Sequence, residues 1–253
     1  MHDEFRQKVR THTDCLGAFI KTPSHQIVEL LHLAGLDFAI VDAEHAPFDM
    51  STLDSMALAA RALGFPLLLR PHAEALSLIS QGLDLGFIGI VQPHIYDRAR
   101  AEALVADTHF KGGRRGFSPS TRAGEYGAMG HSPYLAAADK AVVTFAQIED
   151  SAGVANIDDI ASVEGIDCLF VGRADLAVSL NLPSAQDPGV AEATAKIAAA
   201  GKAKGRPLGI FTGDVNEIPV LRAQGFSIFV CGTDQSWLLK EARSAVRAAR
   251  GSV

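Results

Sequence analysis

Eight short apolar segments recur along the chain, each five to eight residues long and rich in β-branched or aromatic residues. Their positions are almost continuously apolar instead of alternating with polar ones, which is typical of parallel strands buried on both faces. The segments lie at 15–20, 38–44, 66–70, 87–92, 142–149, 167–172, 207–211 and 226–232. We therefore predict eight parallel strands.

Amphipathic stretches separate most of these segments, with apolar residues three or four positions apart. Several stretches end in a glycine, the residue that favours a helix C-cap: Gly35, Gly64, Gly165, Gly205 and Gly225. A further helix is predicted over 236–250. Eight alternations of strand and helix predict a closed α/β barrel, the (β/α)8 TIM barrel, as a single domain over residues 1–253. An open doubly wound sheet is the alternative, but it usually has fewer strands.

One segment interrupts this alternation. Residues 111–134, KGGRRGFSPSTRAGEYGAMGHSPY, are rich in Gly, Ser and Arg and show no periodicity. Long irregular connections inside a compact domain are usually functional. We expect part of this segment to lie near the mouth of the active site, and a simple surface loop is the alternative.

The composition is that of an ordinary globular protein, with 48% apolar and 21% charged residues among 253. The net charge of −6 gives no electrostatic reason to bind nucleic acid or an anionic membrane. The polar start lacks the core of a signal peptide, and no apolar run approaches the roughly 18 residues of a membrane helix. The three cysteines favour buried free thiols in a reducing cytoplasm over disulfides.

Nearly every predicted strand ends in a titratable or amide side chain. Active sites of (β/α)8 barrels form at the carboxyl ends of the strands, so these side chains should meet on one rim. The set includes Lys21, Asp42, Glu44, His45, Arg70, His72, Gln92, His94, Gln147, Glu149, Asp150, Arg173, Asp175, Asp214 and Asp234.

Glu149 and Asp175 end consecutive strands, so a closed barrel places them side by side. Two close carboxylates repel each other unless one is protonated or a cation lies between them. Mg2+ and Mn2+ commonly bind two carboxylates together with water and substrate oxygens, which makes the pair a candidate metal site. The alternatives are helix capping, or the acid pair of a glycosidase, for which the single tryptophan offers little sugar-binding surface.

Arg70 ends an otherwise aliphatic strand, where a guanidinium is costly unless it pairs with an anion. It is a candidate for binding a substrate carboxylate or enolate, and a structural ion pair with Asp42 or Glu44 is the alternative. His45 follows these two carboxylates and is placed to move protons.

Other polar groups at the strand ends carry weaker signals. His72 and His94 have fewer polar neighbours, and we interpret them as supporting or structural. Small residues at 172–176 allow backbone amides to face an anion. A Schiff-base mechanism needs a lysine at a strand end, and Lys21 is the one lysine close to such a position.

Longer motifs follow one another over nearly the whole chain. They are LGAFIKTPSHQIVELLHLAGLDFAIVDAEHAPFD, LLLRPH, LDLGFIGIVQPHI, GGRRGFSP, FAQIED and VGRADLAVSL. Together they resemble the HpcH/HpaI family of class II pyruvate aldolases. The resemblance implies aldol chemistry on 4-hydroxy-2-oxo acids through a metal-bound pyruvate enolate, with Mg2+, Mn2+ or Co2+ as cofactor. It also implies a homohexamer, a trimer of dimers, with the last helix exchanged between partners.

The resemblance further implies roles for particular residues. Glu149 and Asp175 would hold the metal, while Gln147 and the amides of Ala174 and Asp175 would bind the pyruvate part of the substrate. Arg70 would stabilise the enolate oxygen, because it places positive charge where negative charge develops.

His45 would relay the proton, with Asp84 as its carboxylate partner. Asp42, in the family's Asp-x-Glu-His strand end, is counted with the catalytic residues. Asp84 precedes the predicted fourth strand and so lies on the opposite face of the barrel from His45. The pair therefore requires either a different chain path or a neighbouring subunit.

The chain departs from the family at 172–177, where GRADLA stands in place of Gly-Pro-x-Asp-Leu-Ser. Arg173 adds a charge and Ala177 removes a hydroxyl near the metal site. The sequences of residues 118–134 and 212–214 are also particular to this chain, so the resemblance does not imply which acceptor aldehyde the protein uses. Candidates for binding a hydroxylated or acidic aldehyde, with loop packing as the alternative, are Arg115, Arg122 and Tyr126.

Three functions are compatible with a barrel of this kind. The first is a metal-dependent aldolase acting on a small 2-oxo acid and an aldehyde. The second, a CoA-thioester lyase of the citrate-lyase β type, needs a basic surface for the CoA phosphates, which this acidic chain does not suggest. The third is a non-catalytic barrel that binds oxo acids, and the full set of polar residues at the strand ends argues against it.

Overall fold

Eight parallel strands close into a barrel in chain order, and the last strand pairs back with the first. The structure is a computed structural model that describes residues 2–251. The strands are β1 Cys15–Ile20, β2 Phe38–Asp42, β3 Leu67–Arg70, β4 Gly89–Gln92, β5 Val143–Ile148, β6 Cys168–Val171, β7 Leu208–Phe211 and β8 Phe226–Thr233. The predicted (β/α)8 TIM barrel is confirmed, with every predicted strand present.

Helices surround the barrel. They are α1 His2–Arg10, α2 His25–Leu33, α3 Met50–Leu63, α4 Leu76–Leu85, α5 Arg98–Thr108, α6 His131–Ala141, α7 Ser151–Ala155, α8 Ile157–Ala161, α9 Arg173–Ser179, α10 Pro188–Ala203, α11 Ile218–Ala223 and α12 Asp234–Arg250. The five glycines predicted to end helices all adopt left-handed φ values, between 63° and 100°. The helix expected over 153–165 is divided into α7 and α8, and α1, α6 and α9 were not predicted.

Alternate strand residues point into the barrel and form its inner core. On β5 these are Val143 and Phe145, and the neighbouring strands contribute residues such as Ile40 and Phe170. The other residues of the strands pack outward against the helices. Continuing the alternation beyond the apolar layer places polar side chains on top of the inner core: Asp42, Arg70, Gln147 and Glu149. The polar rim is thus the uppermost layer of the barrel interior.

Helix α1 covers the opposite end of the barrel. Phe5 and Val9 are buried in the inner core. The Arg6 Nε lies 3.2 Å from the buried Asp167 carboxylate, and the Arg10 Nε lies 2.7 Å from it. Asp167 directly precedes β6, so a buried carboxylate with two arginine partners lies at the amino ends of the strands.

The irregular segment 111–134 does not line the active-site mouth of its own subunit. It connects α5 to β5 by way of a 3-10 turn at Arg122–Gly127 and the start of α6. Arg122 bonds the carboxylate of Asp54 on α3 at 2.6 Å, and Arg115 bonds Asp84 on α4 at 2.8 Å. Within one subunit the expectation is not met, because a connection from helix to strand approaches the barrel from its amino end, and this one packs along the outer helices.

Within residues 2–251, no helix is long and apolar enough to cross a membrane.

Candidate active site

An ion-pair network joins the ends of β1, β2 and β3. Asp42 and Arg70 are register partners on adjacent strands. Arg70 donates from Nε to Asp42 Oδ1 at 3.0 Å, and its Nη2 lies 2.8 Å from Oδ2. Lys21 Nζ is 3.1 Å from the same Oδ2. Burial works to raise the pKa of the Asp42 carboxyl, but the two cations outweigh it and hold that pKa below its ordinary value. Asp42 thus fixes Arg70 in place.

The structural ion pair considered for Arg70 therefore exists, yet part of the guanidinium remains available for other contacts. Nη1 donates to Gln147 Oε1 at 3.4 Å. The guanidinium carbon lies 4.3 Å from the centre of the Phe19 ring. Phe19 in turn contacts Phe170 edge-on, with 6.2 Å between ring centres. Arg70 thus projects from an apolar floor, where charge interactions are stronger than in water.

Glu149 is a deeply enclosed carboxylate of the rim, with 2% of its surface exposed. Gln147 Nε2 donates to its Oε2, and the backbone N–H of His94 donates to its Oε1 at 2.9 Å. These donors carry no full charge. Burial therefore raises the pKa of Glu149 to about 7, and the nearby negative charge of Asp175 adds to the rise.

Gly172 leaves the space that this carboxylate occupies. A Cβ at that position would lie 2.6 Å from Glu149 Oε2 and 3.2 Å from Gln147 Nε2. A contact below 3.0 Å forces a neighbouring atom to move, so a side chain at position 172 would displace the Glu149 carboxylate.

The two neighbouring carboxylates of Glu149 and Asp175 fit a divalent cation. Asp175 lies exposed in the first turn of α9 and close enough to Glu149 to perturb its pKa. Within residues 2–251 no three or more His, Cys, Asp and Glu side chains form a group that could hold a metal ion. Two hard carboxylate oxygens, with the remaining positions open to water and substrate, match the way Mg2+ and Mn2+ bind.

Glu44 was considered from sequence only as an ion-pair partner of Arg70, and it lies among three basic side chains. Its carboxylate is 3.5 Å from Arg70 Nε, 3.6 Å from His45 Nε2 and 3.8 Å from His94 Nε2. His45 is half exposed, and its backbone N–H donates to Asp42 at 3.2 Å. The histidine therefore faces solvent at the rim with a carboxylate beside its ring. The Asp-x-Glu-His spacing was the available signal for Glu44.

Asp84 lies apart from this rim within one chain. It occupies the last turn of α4, just before β4, and bonds Arg115, whose guanidinium stacks 4.3 Å from the Phe110 ring centre. His45, in contrast, follows β2 at the carboxyl end of the barrel. The expected partnership is thus not formed inside a single subunit.

The candidate aldehyde-binding residues of the irregular segment make packing contacts. Arg115 and Arg122 are buried, and Arg122 donates to the hydroxyl of the exposed Tyr126 at 3.3 Å. Arg173, one of the departures from the family motif, lies instead on the rim. Its Nη2 donates to Glu217 Oε2 at 2.7 Å and to the Phe211 carbonyl at 3.2 Å. This ion pair spans the ends of β6 and β7.

The carboxylate pair, the glutamine and the anchored arginine lie on the carboxyl rim of the barrel, where enzymes with a (β/α)8 fold have their active sites. Sequence comparison then places it more narrowly. A profile of the HpcH/HpaI aldolase/citrate lyase family matches residues 16–240, and the chain belongs to that family.

Its relatives favour the aldolase interpretation over the thioester lyase. The chain is 38% identical to a 5-keto-4-deoxy-D-glucarate aldolase of Shigella boydii over 72% of this chain and 71% of the relative. It is 33% identical to a hydroxypyruvate/pyruvate aldolase of Rhizorhabdus wittichii, over 93% and 94% of the two chains. The crystal structure of an HpcH/HpaI aldolase/citrate lyase family protein from Burkholderia cenocepacia J2315 superposes with a TM-score of 0.93 at 33% identity, covering 98% and 100% of the chains. Aldolases of this family depend in general on a divalent metal.

Proposed function

We propose that the protein is a divalent-metal-dependent aldolase that cleaves or forms 4-hydroxy-2-oxo acids, with pyruvate or a close relative as the 2-oxo acid product. The observation that carries this proposal is a series of side-chain hydrogen bonds at the strand ends, from Arg70 to Gln147 and from Gln147 to Glu149. The carboxylate of Asp175 lies nearby. It joins a fixed positive charge to an enclosed carboxylate that lacks a fully charged donor.

Glu149 and Asp175 would hold the cation, which can be Mg2+, Mn2+ or Co2+. When bound, the metal supplies Lewis acidity next to the substrate carbonyl. Gln147 is placed to orient the 2-oxo acid, and the amides of Ala174 and Asp175, in the first turn of α9, to bind its carboxylate. Arg70, kept in place by Asp42, stabilises negative charge on the carbonyl oxygen.

His45 is the proposed proton carrier because it is the solvent-facing base beside Glu44. The role of Asp84 as its partner requires a second subunit, since the two residues lie at opposite ends of one barrel. We therefore propose a homo-oligomer, a hexamer assembled as a trimer of dimers. The exposed apolar side chains of Leu238 and Leu239 on α12 support an exchange of that helix.

A Schiff-base route through Lys21 is less well supported. The Lys21 ammonium is paired with Asp42 at 3.1 Å. A Schiff-base lysine must reach the substrate carbonyl, whereas Lys21 is engaged by Asp42. The three cysteines are free and buried, which supports the further proposal of a reducing cytoplasmic location.

The decisive experiment follows exchange of the pyruvate methyl protons in D2O by NMR, with Mn2+ or Mg2+ and separately with EDTA. Wild-type protein should exchange these protons only with metal. Glu149→Gln should abolish exchange, and Arg70→Ala should slow it by about a hundredfold or more, as loss of an oxyanion-stabilising donor does. No acceptor aldehyde has to be known for this test.

Each other outcome has a defined meaning. Exchange that survives EDTA and depends on Lys21 would replace the metal mechanism with a Schiff base. Pyruvate binding without exchange under any metal would overturn the aldolase and favour the thioester lyase or an oxo-acid-binding barrel. Once exchange is established, a panel of hydroxylated and acidic aldehydes identifies the acceptor.

The shared site has its own test. Asp84→Asn and His45→Gln subunits are each expected to be nearly inactive, but mixed oligomers would contain sites with both native residues. Recovery of activity after mixing and reassembly supports a site built by two subunits. Mixtures that stay inactive, although mass spectrometry shows hybrid oligomers, would contradict it.

A further inference from the structure

The turn after β4 adopts a backbone conformation that is costly for its sequence. His94 has a φ of 54°, in the left-handed region that glycine favours and other residues rarely adopt. Such strain is commonly found at functional sites, where surrounding contacts maintain it. This turn lies between the residues proposed to bind the metal and the rest of the rim.

The left-handed turn aims two successive backbone amides at the end of β5. The N–H of His94 donates to Glu149 Oε1 at 2.9 Å. The N–H of Ile95 donates to the Gln147 carbonyl at 3.1 Å. Rotation of the turn into an ordinary conformation would withdraw the donor from Glu149, leaving that oxygen of a buried carboxylate unpaired.

The His94 side chain supplies the contact that can hold this turn. Its Nδ1 lies 3.1 Å from Asp150 Oδ2. Asp150 precedes α7 in the N-cap position, yet its side chain makes no capping hydrogen bond to that helix. Its carboxylate instead faces the histidine across the rim, directly beside Glu149 in sequence.

We propose that His94 is a positioning residue for the metal site: tied to Asp150, it holds the left-handed turn, and its backbone N–H orients the Glu149 carboxylate before the cation binds. The inference rests on the proposed function and assigns no proton transfer to His94. A carboxylate oriented in advance loses less freedom when it binds a metal, as partners of metal ligands generally ensure.

Direct titration with Mn2+, followed by calorimetry or by the EPR signal of free Mn2+, tests this without any turnover. His94→Val removes the Asp150 contact and disfavours the left-handed turn, so the affinity should fall by about tenfold or more. His94→Asn should remain close to wild type, because asparagine tolerates this conformation and keeps a polar side chain. Rescue by asparagine distinguishes positioning from mere packing.

His12 provides a matched control. It is an exposed histidine with a φ of 55°, and it follows α1 at the far end of the barrel. His12→Val carries the same type of backbone cost but should leave Mn2+ affinity unchanged. If His94→Val does not fold, His94→Ala and Asp150→Asn make the same comparison, and both should weaken Mn2+ binding.

Amide hydrogen exchange of the metal-free protein gives a second readout. The amide at position 94 should exchange at least about tenfold faster in Asp150→Asn than in wild type, because opening of the turn becomes easier. Unchanged Mn2+ affinity in His94→Val would overturn the inference while the proposed function stands. If wild-type protein fails to bind Mn2+, the proposed function fails, and unchanged amide exchange in Asp150→Asn would then overturn the inference on its own.

Discussion

At the scale of single residues, the site depends on how much space and charge surround Glu149. Its carboxylate is buried against an uncharged amide and a backbone N–H, and Gly172 leaves the space it fills. Both features favour cation binding at some cost to the stability of the metal-free protein. Two substitutions separate their effects.

Gly172→Ala tests the space. The added methyl would lie 2.6 Å from Glu149 Oε2, so the carboxylate must move. We expect Mn2+ affinity to fall by about ten- to a hundredfold, in line with other disturbances next to metal ligands, while the fold is retained. Gly116→Ala is the control, since a methyl added there would have no neighbouring atom within 4 Å. Equal Mn2+ affinity of the two variants in calorimetry would contradict the assignment.

Glu149→Gln tests the charge through the pH dependence of stability. The pKa of Glu149 is about 7 in the folded protein and about 4.3 in an unfolded chain. The folded state therefore holds the proton more tightly, and raising the pH through this window removes stability from wild type but not from the variant. From pH 4.5 to 8 in EDTA, the unfolding free energy of the variant should gain on the order of 3 kcal/mol relative to wild type.

Urea unfolding at several pH values measures this difference, and parallel pH profiles for the two proteins would contradict it. Added Mn2+ at pH 8 should raise the unfolding free energy of wild type but not of the variant, because the cation stabilises only the protein that retains its ligand.

At the scale of the elements, the strands were predictable because each is buried on both faces and is therefore continuously apolar. The polar residues at the strand ends also predicted the rim. Alternation along each strand explains why Asp42, Arg70, Gln147 and Glu149 meet there. Helix α1 was not predicted because only two of its nine residues, Phe5 and Val9, are apolar, too few to show a helical period. The left-handed turn at His94 was not predictable, since contacts with another strand end maintain it.

The ion pairs of α1 supply a stability prediction. Arg6 is 8% exposed in its side chain, and Arg10 is 53% exposed, yet both contact the buried Asp167. Arg6→Ala leaves that carboxylate without its enclosed partner and should lower the unfolding free energy by about 3–5 kcal/mol. Arg10→Ala removes a half-exposed guanidinium and leaves Arg6 paired with Asp167, so it should cost less than about 1 kcal/mol. Similar losses for the two variants in denaturant unfolding would show that burial does not set the difference.

At the scale of the whole molecule, one barrel holds most of the proposed site but not all of it. Asp84 lies with Arg115 at the outer helices, away from His45. Helix α12 also carries apolar side chains that face solvent, although its N-cap Thr233 and the buried Asp234 tie its start to the barrel. Both features are explained if neighbouring copies cover α12 and complete the rim.

Negative charge introduced at exposed apolar positions of α12 should therefore dissociate the proposed oligomer. Leu238 and Leu239 are 73% and 51% exposed, so glutamate at both positions should leave the fold of one subunit intact. Light scattering should show a smaller species, and activity should fall with assembly because the shared site is lost. Val220→Glu on α11 is the control, since Val220 is similarly exposed at 62%. If the double variant forms a species of the same mass as wild type in solution, the proposed role of α12 in subunit association is contradicted.

The covering of one barrel end by α1 has a kinetic consequence. With Phe5 and Val9 filling the amino end, reactants can enter and leave only past the polar rim. Gln147 and Glu149, the proposed contacts of the 2-oxo acid and the metal, are buried. We therefore expect the aldehyde to lie between the oxo acid and solvent, so that cleavage releases the aldehyde first and the oxo acid last. Pyruvate should then inhibit cleavage competitively with respect to the aldol substrate and the aldehyde noncompetitively. A closed barrel end would thus impose an ordered sequence of product release on the enzyme.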